Sequence, residues 1–147
     1  MVGVVRRPAV SVGLVVVLLA TVLVVALGFR ARGADVDRCD RFAADSHARA
    51  ALDSGSGERV VVIGDSWSAG LGLDRIAGSW PSRLSGSVHV AGFSGSGFGD
   101  EAGSCRHVSF ADRAPAAVRG GADLVVVEGG LNDYDVPSAD VRAGFAR

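Results

Sequence analysis

Twenty-one consecutive residues without a charge, AVSVGLVVVLLATVLVVALGF at positions 9–29, set the first limit on this chain. Wound as an α-helix at about 1.5 Å per residue, the stretch reaches roughly 31 Å, enough to span the hydrocarbon core of a bilayer. Arg6 and Arg7 precede it, and Pro8 stands where a first helical turn tolerates proline. A basic flank followed by an apolar run predicts a retained transmembrane helix or signal anchor. The competing reading is a cleaved signal peptide, with Ala26-Leu27-Gly28 as a passable cleavage site. A short basic N-terminus ahead of a first span usually stays inside, although Arg30 and Arg32 at the far end weaken the asymmetry. The expectation is a single-pass membrane protein with its soluble part extracytoplasmic, or a secreted one if the segment is removed.

The rest divides by composition. Residues 1–8 form a basic N-terminus, 9–29 the span, 30–57 a polar, Ala-rich stalk, and 58–147 one small folded domain. Within the stalk, DRFAADSHARAALD offers a short helix that SGSG closes. The 15 basic residues, all Arg, and 16 acidic residues are spread along the chain for a net charge of -1, so the clustered basic face of a nucleic-acid binder is missing. Cys39 and Cys105 have neither the close spacing nor the partners that a metal site needs, and no metal or cofactor is expected. An extracytoplasmic location would allow a disulfide between them.

Beyond the stalk, apolar runs alternate with helical patterns. Arg59–Gly64 is a β-branched strand, 88–91 a weaker one, and 124–127 a strong one bounded by Asp123 and Glu128. Helices are predicted at 81–84 and at 110–119, the second stopped by Gly120-Gly121. This order argues for an α/β fold with a mainly parallel sheet covered on both faces. Ligands of such sheets bind beyond the carboxyl ends of the strands, where three clusters of small and polar residues fall.

The first cluster is VVVIGDSWSAGLG at 60–72, in which Gly64 lets the chain turn sharply and Ser66 presents its hydroxyl at a strand-to-helix junction. The second is VHVAGFSGSGFGD at 88–100, and the third LVVVEGGLNDY at 124–134, which holds the chain's only asparagine, Asn132. Taken singly, each is ordinary turn chemistry, a capping Asp-Ser or an Asn-Asp after a strand. In this order, the three resemble the first three sequence blocks of the SGNH (GDSL-like) hydrolases over roughly residues 58–135. Trp80-Pro81 resembles that family's usual start of the next helix.

The resemblance implies a flavodoxin-like three-layer α/β/α fold and a serine esterase. Ser66 would be the nucleophile, and the oxyanion would be held by the Ser66 N–H, the Gly95 N–H, with Gly97 the alternative, and the Asn132 amide. Gly64, Asp65, Gly130 and Asp133 complete the motifs. Val90 stands where the second block usually has Asn, a departure that loosens its register. The implied substrate is a small-molecule, lipid or carbohydrate ester.

The family's base is a histidine in a late D-x-x-H block, and no D-x-x-H occurs among these residues. His47 lies in the stalk, His89 in or beside the second strand as a structural residue, and His107 in the loop after the second cluster as a surface one. The expectation is therefore an incomplete SGNH domain with little hydrolase activity of its own. The alternative is a non-catalytic, membrane-tethered module that keeps the crevice for ligand binding. A flavodoxin-type cofactor binder fits less well, because no phosphate loop follows the first strand and Asp65 would repel phosphate.

Overall fold

The computed structural model describes residues 8–147, with side chains from residue 13 onward. The basic residues 1–7, Arg6 and Arg7 among them, lie outside the described residues. The chain divides into two units, Met1–Asp37 and Arg38–Arg147.

The described part of the first unit is one helix. Helix α1 spans Pro8–Ala50 without a break, and its apolar side chains, Leu14, Leu19, Leu23 and Phe29 among them, are exposed. By length and composition it is able to cross a membrane.

Within residues 30–57, the short helix read from the sequence is the end of a longer one. Helix α1 continues to Ala50, and its residues from Arg38 onward belong to the second unit. A lone interior glycine costs a helix only about 1 kcal/mol relative to alanine, so Gly33 does not end it. The last turns are held by contacts distant in sequence. Arg49 is 1% exposed and donates from Nε to the Ser79 hydroxyl at 3.0 Å and from Nη2 to the Ser82 hydroxyl at 2.9 Å. Phe42 meets Phe93 edge to face, with ring centroids 6.4 Å apart. A disulfide joins Cys39 to Cys105, so both cysteines flagged in the sequence are paired. The second unit thus takes in the end of α1 together with residues 58–147.

Three parallel strands form its sheet: β1 at Arg59–Gly64 in the centre, flanked by β2 at Ser87–Gly92 and β3 at Leu124–Glu128, in the order β2-β1-β3. Successive side chains of a strand point to opposite faces, so the run VVVI in β1 feeds two cores. Val60 and Val62 pack with Val88 and Val90 beneath Trp80 and Leu84. Val61 and Ile63 pack on the other face with Phe110 and Ala117, residues of helix α3 at Phe110–Ala117. Strand β3 is covered less than its sequence suggests, with Leu124, Val125 and Val127 at 53%, 44% and 47% exposure.

The connections are short. A four-residue helix, α2 at Ser66–Ala69, follows β1 and ends on Gly70, whose φ of 85° lies in the left-handed region. The helix predicted at 81–84 is a 3-10 turn, Trp80–Arg83, with Pro81 near its start. Helix α3 opens on a reciprocal cap: the Ser109 hydroxyl accepts from the Asp112 N–H while the Asp112 carboxylate accepts from the Ser109 N–H. Helix α4, Ser138–Phe145, follows Pro137. Gly64, Gly92 and Glu128 share one register level, so the three carboxyl ends finish flush. All three sequence clusters therefore open at one edge of the sheet.

Candidate active site

Each cluster contributes one loop to this edge. After β1, Asp65 caps helix α2, its carboxylate accepting from the Trp67 N–H at 2.9 Å. This fixes Ser66 as the first residue of the helix, half-buried, and among the described residues its hydroxyl has no protein hydrogen-bond partner. Asp65 is 1% exposed. Burial pushes its carboxyl above the ordinary value, opposed by the Trp67 hydrogen bond and reinforced by the Glu128 carboxylate.

Gly64 serves here by its size. It has no positive φ, and a Cβ at this position would stand 2.1 Å from the Ser68 hydroxyl and 2.9 Å from the Glu128 carboxylate. That space admits a hydrogen bond of 2.6 Å from the Ser68 hydroxyl to Glu128, which ties α2 to the end of β3. Gly92 acts similarly at the end of β2, where a Cβ would lie 2.6 Å from the Ala69 nitrogen. Absence of side chains at two strand ends lets the Ser66 helix sit directly on the sheet.

After β2, Gly95 takes a φ of 83° and is half-exposed, whereas Gly97 is buried, with a Cβ there only 2.5 Å from the Asp133 carboxylate. After β3, Gly129 and Gly130 have φ of 149° and 113° and turn the chain into Asn132 and Asp133. The Asp133 carboxylate accepts from the N–H groups of Phe98 at 3.0 Å and Gly99 at 2.8 Å, clamping the second loop to the third. The Asn132 amide donates to the Ser96 carbonyl at 2.9 Å and lies 3.5 Å from the Asp65 carboxylate. Asn132 therefore stands between the other two loops.

Beneath these loops lies Arg113, which the sequence reading passed over. Its Nη2 donates to the Gly64 carbonyl at 3.0 Å and to the Ser96 hydroxyl at 2.9 Å, its Nε to the Val108 carbonyl at 2.9 Å, and its Nη1 to the Ala91 carbonyl. Burial pushes its guanidinium down to about 10, with Asp112 and Asp65 opposing. A signal was present in the sequence: Phe110, Arg113, Ala114 and Ala117 recur at the spacing of a buried helix face, and the one charged member of that stripe is Arg113. Glu128, read only as a boundary of the third strand, is its last residue and reaches Ser68.

The histidines lie elsewhere. His89 pairs through Nδ1 with Asp53 at 2.8 Å, and His107 lines a depression with Asp100, Arg106 and Asp112. Beside Ser66 a cleft of about 370 Å³ is lined by Trp67, Leu71, Leu73, Trp80 and Arg83, with no histidine among its lining residues. No protein-family model, curated protein or solved structure matches this chain.

Proposed function

We propose that this chain carries the nucleophile and oxyanion site of an SGNH-type serine ester hydrolase on a flavodoxin-like fold. The observation that carries this reading is the convergence of three loops at one sheet edge, with Asn132 touching the first at Asp65 and the second at Ser96. The parallel order β2-β1-β3 supports the flavodoxin-like part, since such sheets run 2-1-3-4-5. The apolar part of α1 supports a membrane tether, with the hydrolase domain on the extracytoplasmic side, where the Cys39–Cys105 disulfide is chemically at home.

In this mechanism the Ser66 oxygen attacks the ester carbonyl as a base removes its proton, because a neutral hydroxyl is a weak nucleophile. The negative charge that develops on the carbonyl oxygen is met by the N–H groups of Ser66 and Gly95 and by the Asn132 amide. The Ser96 carbonyl holds the amide in place. Collapse expels the alcohol, which takes up the proton the base removed, and leaves the acyl group on Ser66 for hydrolysis. Removing one such donor costs about 3–4 kcal/mol in other hydrolases, so Asn132→Ala is expected to slow acylation by two to three orders of magnitude.

The test is covalent labelling of the full chain with a fluorophosphonate, located by mass spectrometry, with and without imidazole as an external base. Label on Ser66 that imidazole accelerates and Ser66→Ala abolishes is the expected result. Labelling undiminished in Ser66→Ala would sink the assignment. The lack of a histidine among the residues lining the Ser66 cleft favours a second reading, a tethered module that binds ligand without turnover. Under it, Ser66 stays unlabelled even with imidazole, and an ester is bound and released intact.

A further inference from the structure

We propose that the cleft beside Ser66 is an acyl-chain subsite, sized for one hydrocarbon tail of medium length rather than for an acetyl group. This inference rests on the esterase reading of Ser66 and adds the substrate class to it. The segment that follows the nucleophile carries three large apolar side chains exposed to solvent: Trp67 at 68%, Leu71 at 53% and Leu73 at 48%. Together with Trp80 they wall the cleft that opens at Ser66, and Arg83 is the one charged residue lining it.

The chemistry selects the occupant. Ser66 is itself one of the residues lining the cleft, so an ester bound at Ser66 can lay one substituent along this apolar wall. The acyl group is the part that stays bonded to Ser66 after the alcohol has left, so a cleft lined by Ser66 serves it through both halves of the reaction. At about 370 Å³ the cleft lies near the lower end of small-molecule sites, about 300–1,000 Å³, which suits one tail and not a two-tailed lipid. An acetyl group would leave most of this wall wet. A full methylene burial is worth about a fourfold gain in affinity, so in a cleft open on one side each added methylene should tighten binding about two- to fourfold.

The chain supplies its own reporter. Its two tryptophans, Trp67 and Trp80, both line this cleft. The experiment titrates the full chain in lipid nanodiscs with neutral alkanamides from acetamide to octanamide, reading tryptophan fluorescence and correcting for uptake by empty nanodiscs. The expected result is a dissociation constant that falls stepwise with chain length, and a flat series for Leu71→Asp/Leu73→Asp, whose exposed positions leave the fold intact by circular dichroism. A flat series for the unaltered chain, or a length dependence that the double variant retains, would overturn the proposal. Fluorophosphonates with butyl and octyl tails then separate the two inferences. Faster labelling of Ser66 by the octyl reagent supports the acyl subsite, and equal rates overturn it. A length-dependent amide series with no labelling of Ser66 at all overturns the catalytic reading, and with it the acyl role, while keeping a hydrocarbon-binding cleft.

Discussion

Replacing both cysteines, Cys39→Ser/Cys105→Ser, tests where the folded domain begins. The disulfide joins the part of α1 beyond Arg38 to the loop ahead of α3, and the two residues are 66 apart in sequence. Cross-linking a loop of this length removes about 14–15 cal/mol/K from the entropy of the unfolded chain, or about 4 kcal/mol at 25 °C. In the native state, the end of α1 is also held by the buried Arg49 with its hydrogen bonds to Ser79 and Ser82, and by Phe42 against Phe93. These contacts remain in the variant, so the loss should arise mainly in the unfolded state. The variant should still fold.

Urea unfolding of the full chain in detergent, followed by tryptophan fluorescence, measures the difference. With a slope of about 1.5 kcal/mol/M for a domain of this size, a loss of about 4 kcal/mol lowers the midpoint by about 2.7 M. Reducing the unaltered chain should give the same shift, with a slope that rises slightly because the unfolded chain without its cross-link is less compact. A midpoint that moves by less than about 0.5 M would refute the reasoning. It would mean that the end of α1 does not belong to the cooperative unit, and the domain would then begin at residue 58 as its composition suggests.

Two further perturbations address the strand ends. Gly92→Ala places a Cβ against the backbone of Ala69 at 2.6 Å without demanding an unusual φ, so its cost is overpacking, about 1–3 kcal/mol in a thermal melt. A change below about 0.5 kcal/mol would show that α2 does not sit so closely on β2. Asp65, whose carboxyl is pushed up by burial, binds its proton more tightly in the folded chain than in the unfolded one. Its contribution to stability is therefore most favourable at low pH and falls as pH rises from the ordinary value of 3.8 through the raised folded value. Asp65→Asn keeps the cap and removes the titration, so urea midpoints from about pH 4 to pH 7 should fall more steeply for the unaltered chain than for the variant; parallel profiles would contradict the assignment.

What could be read in the sequence was local. Strand β1 announces itself because a central parallel strand is apolar on both faces, and the clusters at residues 64–66, 95–97 and 130–133 are turn chemistry that any α/β sheet displays at its carboxyl edge. The continuation of α1 could not be seen. Arg49, Phe42 and Cys39 look like ordinary members of a polar segment until Ser79, Phe93 and Cys105 are brought beside them. The 3-10 turn at Trp80–Arg83 kept its expected place but not its expected form, because four residues opening on Trp80-Pro81 do not fill out an α-helix. Strand β3 misled in degree: its apolar run implies two covered faces, and half of it remains exposed.

The largest omission was Arg113, and its consequence can be measured. None of the three clusters includes it, yet it holds the Gly64 carbonyl ahead of Ser66, the Ala91 carbonyl at the end of β2, and the Ser96 hydroxyl beside the carbonyl that anchors Asn132. Charged hydrogen bonds contribute about 1.5–3 kcal/mol each, and the acceptors left behind in a buried site lose their partners. Arg113→Met, which keeps much of the apolar stem, should therefore cost at least about 3 kcal/mol in urea unfolding. Arg113→Lys keeps the charge but offers one ammonium where a planar fork reaches several acceptors, so it should recover less than half of that loss. Amide hydrogen exchange distinguishes this local role from a general loss of packing. At matched global stability, set by adding urea to the unaltered chain, the variant should exchange faster at residues 93–98 than in β1. Uniform exchange across the domain would mean that Arg113 only fills space, and the alignment of Ser66, Gly95 and Asn132 would then have to come from the clusters themselves.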